Sequence, residues 1–229
     1  MTRTYGDWPI IETSDLNRVF TSPAGDVVAV RDVSLKILPG EFVALTGRSG
    51  SGKTTLINLI GGIDEPTGGR VMVAGNDLSL MSESDITNMR RGQIGYIFQS
   101  YGLLPLLSAY ENIELPLRIS GFRKGARRQR IEELLVLVGL SSRADHRPYE
   151  LSGGEQQRIA IARALAPKPP LILADEPTGD LDSANGLAIG TLIKSLTKSE
   201  GITFVTATHD LSLASMADRS YEMVDGTLL

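Results

Sequence analysis

Eight residues constrain this chain more than any other feature: Gly47-Arg48-Ser49-Gly50-Ser51-Gly52-Lys53-Thr54. They follow a compact apolar run, Glu41–Thr46 (EFVALT), and lead into a run with helical spacing, Thr54–Ile60 (TTLINLI). The spelling G-x-x-x-x-G-K-[ST] between a strand and a helix calls for a βα unit that cradles phosphate. The glycines let the backbone curl so that its N–H groups converge on phosphate oxygens, and the helix start turns its positive dipole end the same way. Lys53 is expected to reach the β- and γ-phosphates, and the Thr54 hydroxyl to hold Mg²⁺. A chance match in a chain of this length is about 1% from average residue frequencies. The expected nucleotide site therefore comprises Gly47, Arg48, Ser49, Gly50, Ser51, Gly52, Lys53, Thr54 and the adjoining Thr55.

Other runs fit the same plan. Leu171–Ala174 (LILA) and Ile202–Thr206 (ITFVT) are near-continuously apolar, as parallel strands buried on both faces must be. Val27–Val30, Val33–Ile37, Val71–Val73 and Ile94–Phe98 read as further strands, and Ser84–Arg91 and Asn185–Leu196 as helices. This alternation predicts an α/β fold with a mainly parallel sheet flanked by helices. From Gln99 to Leu151 no strand is expected. Ala109–Leu115 and Arg128–Val138 look helical, with Pro105, Pro116, Gly121 and Pro148 dividing the stretch, so 99–151 reads as a helical insertion in a core formed by 1–98 and 152–229.

Two more elements carry chemistry. Asp175-Glu176 follows LILA, where a carboxylate at the C-terminal end of a parallel strand faces the ligand crevice. Asp175 suits Mg²⁺ and Glu176 suits the general base that activates water; on its own the pair is equally an acidic helix start. Leu151-Ser152-Gly153-Gly154-Glu155-Gln156-Gln157-Arg158 precedes the small and apolar run Ile159–Ala166. Ser152 is a good N-cap and the glycines expose backbone donors, which gives either a second, lysine-free anion site or simply a capped helix.

With these residues in place the chain resembles the ABC ATPases. LSGGEQQR is that family's signature, Gln99 matches its Q-loop glutamine, ADEPTGDLD (Ala174–Asp182) its Asp-Glu pair and D-loop, and His209 after ITFVTAT its switch histidine. Phe20 stands where the family places an adenine-stacking aromatic, usually tyrosine; read by itself it is equally a core residue. The resemblance spans 11–229. It implies a P-loop core with a small antiparallel β subdomain and a helical subdomain, and an ATPase that works as a head-to-tail dimer around two ATP molecules. In that arrangement Ser152, Gly153 and Gly154 contact the γ-phosphate held by the partner. Glu176, His209 and Gln99 serve catalysis, Thr54, Gln99 and Asp175 the metal, and Phe20 and Asp182 join the nucleotide-binding residues.

The local wording GGIDEPTGGRVMVAGNDLS, IGYIFQSYGLLPLLSAYENIELPL and ADEPTGDLDS is similar to lipoprotein-releasing and macrolide-exporting ATPases. Those drive a separate membrane permease with few spans and a large extracytoplasmic domain. A cell-division ATPase without transport, or a soluble repair or translation ATPase, is the alternative. The short insertion without heptads and the single ATPase unit speak against the soluble types. A net charge of −4 gives no bulk attraction to nucleic acid. There are no cysteines, and no apolar stretch of about 20 residues could span a bilayer. The N-terminal MTRTYGDWPIIETSD lacks the apolar core of a secretory signal. The expectation is a cytoplasmic protein, peripheral on the membrane through its permease. Tyr101, Leu103, Leu104 and Leu106 then form an apolar surface for a permease coupling helix, or else pack inside the helical segment. The basic run Arg123-Lys124, Arg127-Arg128 and Arg130 reads as a solvated face in preference to a lipid contact.

Overall fold

The computed structural model describes residues 8–23 and 25–229. The first half of the N-terminal stretch, residues 1–7, and Ala24 lie outside the described residues. In chain order the elements are β1 (Ile11–Phe20), β2 (Val27–Ile37), β3 (Phe42–Thr46), α1 (Lys53–Ile60), β4 (Gly68–Val73), β5 (Asn76–Asp77), α2 (Glu83–Gln93) and β6 (Ile94–Ile97). Then follow α3 (Ala109–Ile119), α4 (Lys124–Leu137), α5 (Gly153–Leu165), β7 (Leu171–Asp175), α6 (Ser183–Glu200), β8 (Thr203–Ala207), α7 (Leu211–Ala214), β9 (Arg219–Val224) and β10 (Thr227–Leu228).

Two sheets result. The larger has the order β10-β9-β3-β8-β7-β6 and is parallel from β9 to β6, with β10 antiparallel at one edge. The smaller is antiparallel with the order β2-β1-β4-β5. The central strands explain their own spelling. Leu171 and Leu173 of β7 face one apolar cluster, with Val43, Leu45, Leu56, Ile57 and Val205. Ile172 and Ala174 face the other, with Phe42, Phe204, Ile113, Leu134, Ile159 and Ile161. A strand buried on both faces has no position for a polar residue, hence the unbroken apolar runs. Phe42 and Phe204 meet edge to face with centroids 5.6 Å apart, pinning β3 to β8 beneath α5.

The structure departs from the sequence expectations at three places. Val27–Val30 and Val33–Ile37 are one strand, β2, because Arg31-Asp32 forms a bulge and not a turn. Asp32 has φ +47° and faces a second irregularity at Asp15, φ +46°, on β1. Asn17 holds the two together: its amide donates to Asp32 Oδ1 at 2.8 Å, and its carbonyl Oδ1 accepts from Asp32 N–H at 3.1 Å. Pro116 does not divide the helical stretch, since α3 runs through it to Ile119. A proline so near the C-terminus removes one helical hydrogen bond, and the buried Ile113 and Leu117 on either side keep the helix seated. Strands β1, β5, β9 and β10 were not anticipated.

The basic run is largely neutralised within the chain. Arg127 pairs with Glu114 at 3.0 Å, Arg128 with Glu132 at 2.8 Å and Arg130 with Glu133 at 3.6 Å, and Arg130 also donates to the Leu165 carbonyl at 3.0 Å. Among the described residues no helix is long and apolar enough to cross a membrane.

Candidate functional site

Strands β3, β8, β7 and β6 are neighbours, and their registers set Leu45 beside Ala207 and Ala207 beside Asp175. Their C-terminal ends therefore lie level along one edge of the sheet. From that edge emerge the Gly47–Gly52 loop after β3, Glu176 after β7, His209 after β8 and Gln99 after β6. Gln99, Glu176 and His209 line a cleft of about 610 Å³ together with Arg48, Ser49, Gly50, Gly52, Lys53, Thr54 and Thr55, whereas Gly47, Ser51 and Asp175 lie outside its lining.

The loop requires glycine at two points. At Gly47, φ +142°, an added Cβ would lie 2.3 Å from the Met223 carbonyl oxygen; at Gly52, φ +104°, it would lie 2.1 Å from that of Ala29. Both positions combine a backbone conformation that disfavours side chains with contacts that leave no space for one. Gly226 N–H donates to the Ser51 carbonyl at 3.0 Å, so the β9–β10 turn braces the loop from beneath. Lys53 is buried at the head of α1, and its ammonium donates to the carbonyls of Gly47 at 2.8 Å and Arg48 at 3.0 Å. The lysine is thus folded back across the loop that it closes.

Thr54 Oγ1 donates to Asp175 Oδ1 at 3.0 Å, which joins the loop to the end of β7. Burial raises the Asp175 carboxyl above the usual carboxylate range; the Thr54 bond opposes that rise, the neighbouring Glu176 adds to it, and Lys53 opposes it. Oxygen donors around a half-buried carboxylate short of positive charge are the donor set that a hard divalent cation satisfies. Protonation therefore favours the folded form, and keeping Asp175 ionised costs stability above its folded pKa. Asp175→Asn preserves the Thr54 bond and removes that charge. We expect the nucleotide-free variant to melt at a higher temperature than wild type at pH 7–8. The advantage should shrink as pH falls through the carboxylate range, as read by thermal unfolding.

Glu176 adopts φ +48°, a left-handed conformation that costs a non-glycine residue roughly 1–3 kcal/mol. Its N–H donates to the Ala207 carbonyl at 2.9 Å, which holds the turn. One carboxylate oxygen, Oε2, is engaged twice by His209, by its backbone N–H at 3.2 Å and with Nδ1 at 2.9 Å. The other oxygen remains for a reacting group. Glu176 is mostly buried while His209 is largely exposed at the mouth.

Other expected residues lie elsewhere. Ser152, Gly153 and Gly154 do not line this cleft. Ser152 caps α5 in a reciprocal box with Glu155, its N–H donating to Glu155 Oε2 at 2.8 Å. That bond heads the contacts holding the Glu155 carboxyl below its usual range. An added Cβ at Gly154 would lie 2.6 Å from Asn185 Oδ1, and Asn185 is itself bound by Asp182, the N-cap of α6, at 2.9 and 2.7 Å. Asp182 therefore sits beside the signature glycines and away from the cleft. Phe20 ends β1, paired with Val27, partly exposed and stacked under the Arg18 guanidinium at 4.4 Å; it is not a cleft-lining residue. Val27, Val28 and Ala29 of β2 supply that wall, and sequence reasoning missed them. Val27 and Val28 are apolar yet exposed, a pair at a strand start that packing leaves uncovered.

The comparisons agree with this geometry. The family model described as ABC transporter matches residues 30–179. The chain is 46% identical over 203 residues to the ABC transporter ATP-binding protein YtrE of Bacillus subtilis, covering 89% of this chain and 88% of that one. It is 43% identical over 220 residues to the lipoprotein-releasing system ATP-binding protein LolD 2 of Caulobacter vibrioides, 96% of both. Identity to the macrolide export ATP-binding/permease protein MacB of Rhodopseudomonas palustris is 46% over 219 residues, 96% of this chain but 33% of that protein. The dimeric post-hydrolysis structure of the ATP-binding cassette MJ0796 with ADP and Pi superposes with a TM-score of 0.88 at 40% identity, over 95% of this chain and 96% of that one. A phosphate-cradling loop, a carboxylate pair at the strand ends and these matches agree: the chain belongs to the ABC transporter family, as an ATP-binding and ATP-hydrolysing subunit.

Proposed function

We propose that this chain is the motor of a membrane complex of the lipoprotein-release or macrolide-export kind, acting as a dimer whose two nucleotides each lie between two chains. One observation carries the dimer. Ser152, Gly153 and Gly154 form a lysine-free helix start outside the chain's own phosphate cleft, so their anion has to arrive on a second copy. Identity to LolD 2 and MacB supports the subtype. Residues 99–151 form the helical subdomain through which a permease works, and the chain sits peripherally at the membrane.

Each residue has a place in hydrolysis. Backbone N–H groups of 48–54 and the Lys53 ammonium bind the phosphates of ATP. Glu176 takes a proton from the attacking water through the oxygen that His209 leaves free, while His209 orients the carboxylate. Thr54, Asp175 and Gln99 would hold Mg²⁺, which supplies charge neutralisation on the phosphate oxygens when bound. The Val27–Ala29 wall bounds the side where the adenine lies, with Phe20 paired to Val27 just outside it.

Of the four residues expected to face a permease, Leu103 packs against the core cluster, whereas Leu104 and Leu106 are exposed, Leu106 by 80%. The buried Asn112 fixes the loop that presents them. Its Oδ1 accepts from Leu104 N–H at 2.8 Å, and its amide donates to the carbonyls of Leu104, Leu107 and Ser108. The test uses tagged protein to capture its partner from detergent-solubilised source membranes. A permease with few spans and a large outer domain is expected, and Leu104→Ala/Leu106→Ala should recover at least about tenfold less of it with basal ATPase unchanged. A many-span permease would overturn the subtype, and a purely soluble partner the transport reading.

A further inference from the structure

Gln99 lies in a tight turn that its own sequence does little to hold. Tyr101 N–H donates to the Phe98 carbonyl at 3.1 Å, and two successive residues, Tyr101 at φ +61° and Gly102 at φ +60°, are left-handed. For tyrosine that conformation is unfavourable and persists only where its surroundings determine it. The surroundings here are α5. Arg163 Nη2 donates to the Tyr101 carbonyl at 2.9 Å and Nη1 to the Gly102 carbonyl, so one guanidinium spans both left-handed residues.

Arg163 has no acidic partner. None of the ion pairs among the described residues includes it. Burial alone lowers its pKa from the ordinary arginine value. Partly desolvating a cation without a carboxylate is costly, and here its donors go to the backbone of one loop. The same loop touches α5 at the other end of the helix. An added Cβ at Gly153 would lie 2.9 Å from the Tyr101 hydroxyl, so the tyrosine ring reaches back to the first residue of α5. About ten residues and some 15 Å of helix separate the two attachments. The segment carrying Gln99 is therefore fastened along the helix whose start is Ser152-Gly153-Gly154.

We infer that Arg163 is a positioning residue for hydrolysis: its guanidinium clamps the Tyr101–Gly102 backbone to α5 and thereby sets Gln99 in the cleft according to where the Ser152–Gly154 helix start lies. Arg163 is not among the cleft-lining residues. The inference rests on the reading of Gln99 as part of the hydrolytic site. Engagement of that helix start by a second chain would move α5 as a body, and the clamp would carry the displacement to Gln99. Planar geometry matters, because lysine presents a single point of attachment where arginine presents a fork.

The test is a double-mutant cycle on the full-length protein with Mg-ATP, following kcat and, separately, the affinity for a fluorescent ATP analogue. Arg163→Ala should lower kcat about tenfold while analogue affinity stays within about twofold, a split that generic destabilisation does not produce. Arg163→Lys should fall between the two. In a Gln99→Ala background, already slow, Arg163→Ala should add little, because the clamp acts through a side chain that is gone. Equal fold-losses in both backgrounds, unchanged turnover in Arg163→Ala, or loss of affinity matching the loss of kcat would each overturn the clamp. Wild-type turnover by Gln99→Ala would overturn the reading of Gln99, and the clamp with it; a slow Gln99→Ala with additive losses removes the clamp alone. Should Arg163→Ala not fold, Arg163→Lys carries the same cycle.

Discussion

Glu176→Gln is expected to reduce steady-state ATP hydrolysis by about 10²–10⁴-fold, the range for removing a positioned general base, while nucleotide binding persists. The substitution is nearly isosteric. The amide keeps an oxygen that can accept from His209 N–H and Nδ1, now at 3.2 and 2.9 Å from the carboxylate. The backbone bond from residue 176 to Ala207 at 2.9 Å does not involve the side chain, so the left-handed turn stays in place. What changes is the ability to take a proton. It also removes a negative charge next to Asp175, which should relax the upward shift of that carboxyl. With turnover blocked and both phosphate cradles intact, ATP should hold two copies together. Phosphate release, analogue titration and size-exclusion chromatography with Mg-ATP measure the three properties. Near-normal hydrolysis would remove Glu176 as the base, whereas loss of binding would show that the side chain holds the cradle itself.

Why some of this was legible and some not follows from where the information lies. β3, β7 and β8 advertise themselves because both faces are covered, so local composition alone reveals them. The residues after their C-terminal ends then fall to one edge of the sheet by topology, and Glu176, His209, Gln99 and the Gly47–Gly52 loop did converge there. β1 hides its character because matched irregularities at Asp15 and Asp32 break the two-residue alternation. β9, spelled RSYEMV, buries Met223 alone, and its alternation is too short to separate from a loop. Its role is entirely tertiary, since its Met223 carbonyl is the wall that excludes a side chain at Gly47. The Val27–Ala29 wall is illegible for the same reason: nothing near these residues in sequence announces that the Ala29 carbonyl will lie against Gly52. Pro116 misled in the other direction. Proline is a strong local signal, but packing of Ile113 and Leu117 outweighed it.

Lys53→Ala should fail at the step that Glu176→Gln preserves, with nucleotide affinity roughly 10- to 100-fold weaker, as expected for losing a charge-assisted contact to phosphate. The lysine has two functions in the structure. It offers a buried ammonium to the cleft, and it bonds the carbonyls of Gly47 and Arg48, which keeps the loop curled around the space that a phosphate enters. Alanine abolishes both and leaves the two carbonyls to find water. It also removes the positive charge that now opposes the rise of the Asp175 carboxyl, so Asp175 should become harder to ionise and the site a poorer match for a cation. Lys53→Arg separates charge from shape. If charge alone mattered, arginine would restore binding; a planar group of greater bulk cannot follow the lysine back across so narrow a loop, and we expect little rescue. Thermal unfolding with saturating Mg-ATP provides the comparison. A ligand at 100 times its Kd stabilises the fold by about 2.7 kcal/mol, so Glu176→Gln should show the full upward shift in Tm and Lys53→Ala only a small one. Equal shifts in the two variants would mean that the loop backbone binds ATP without its lysine, and would move the affinity from the ammonium to the N–H groups at the head of α1.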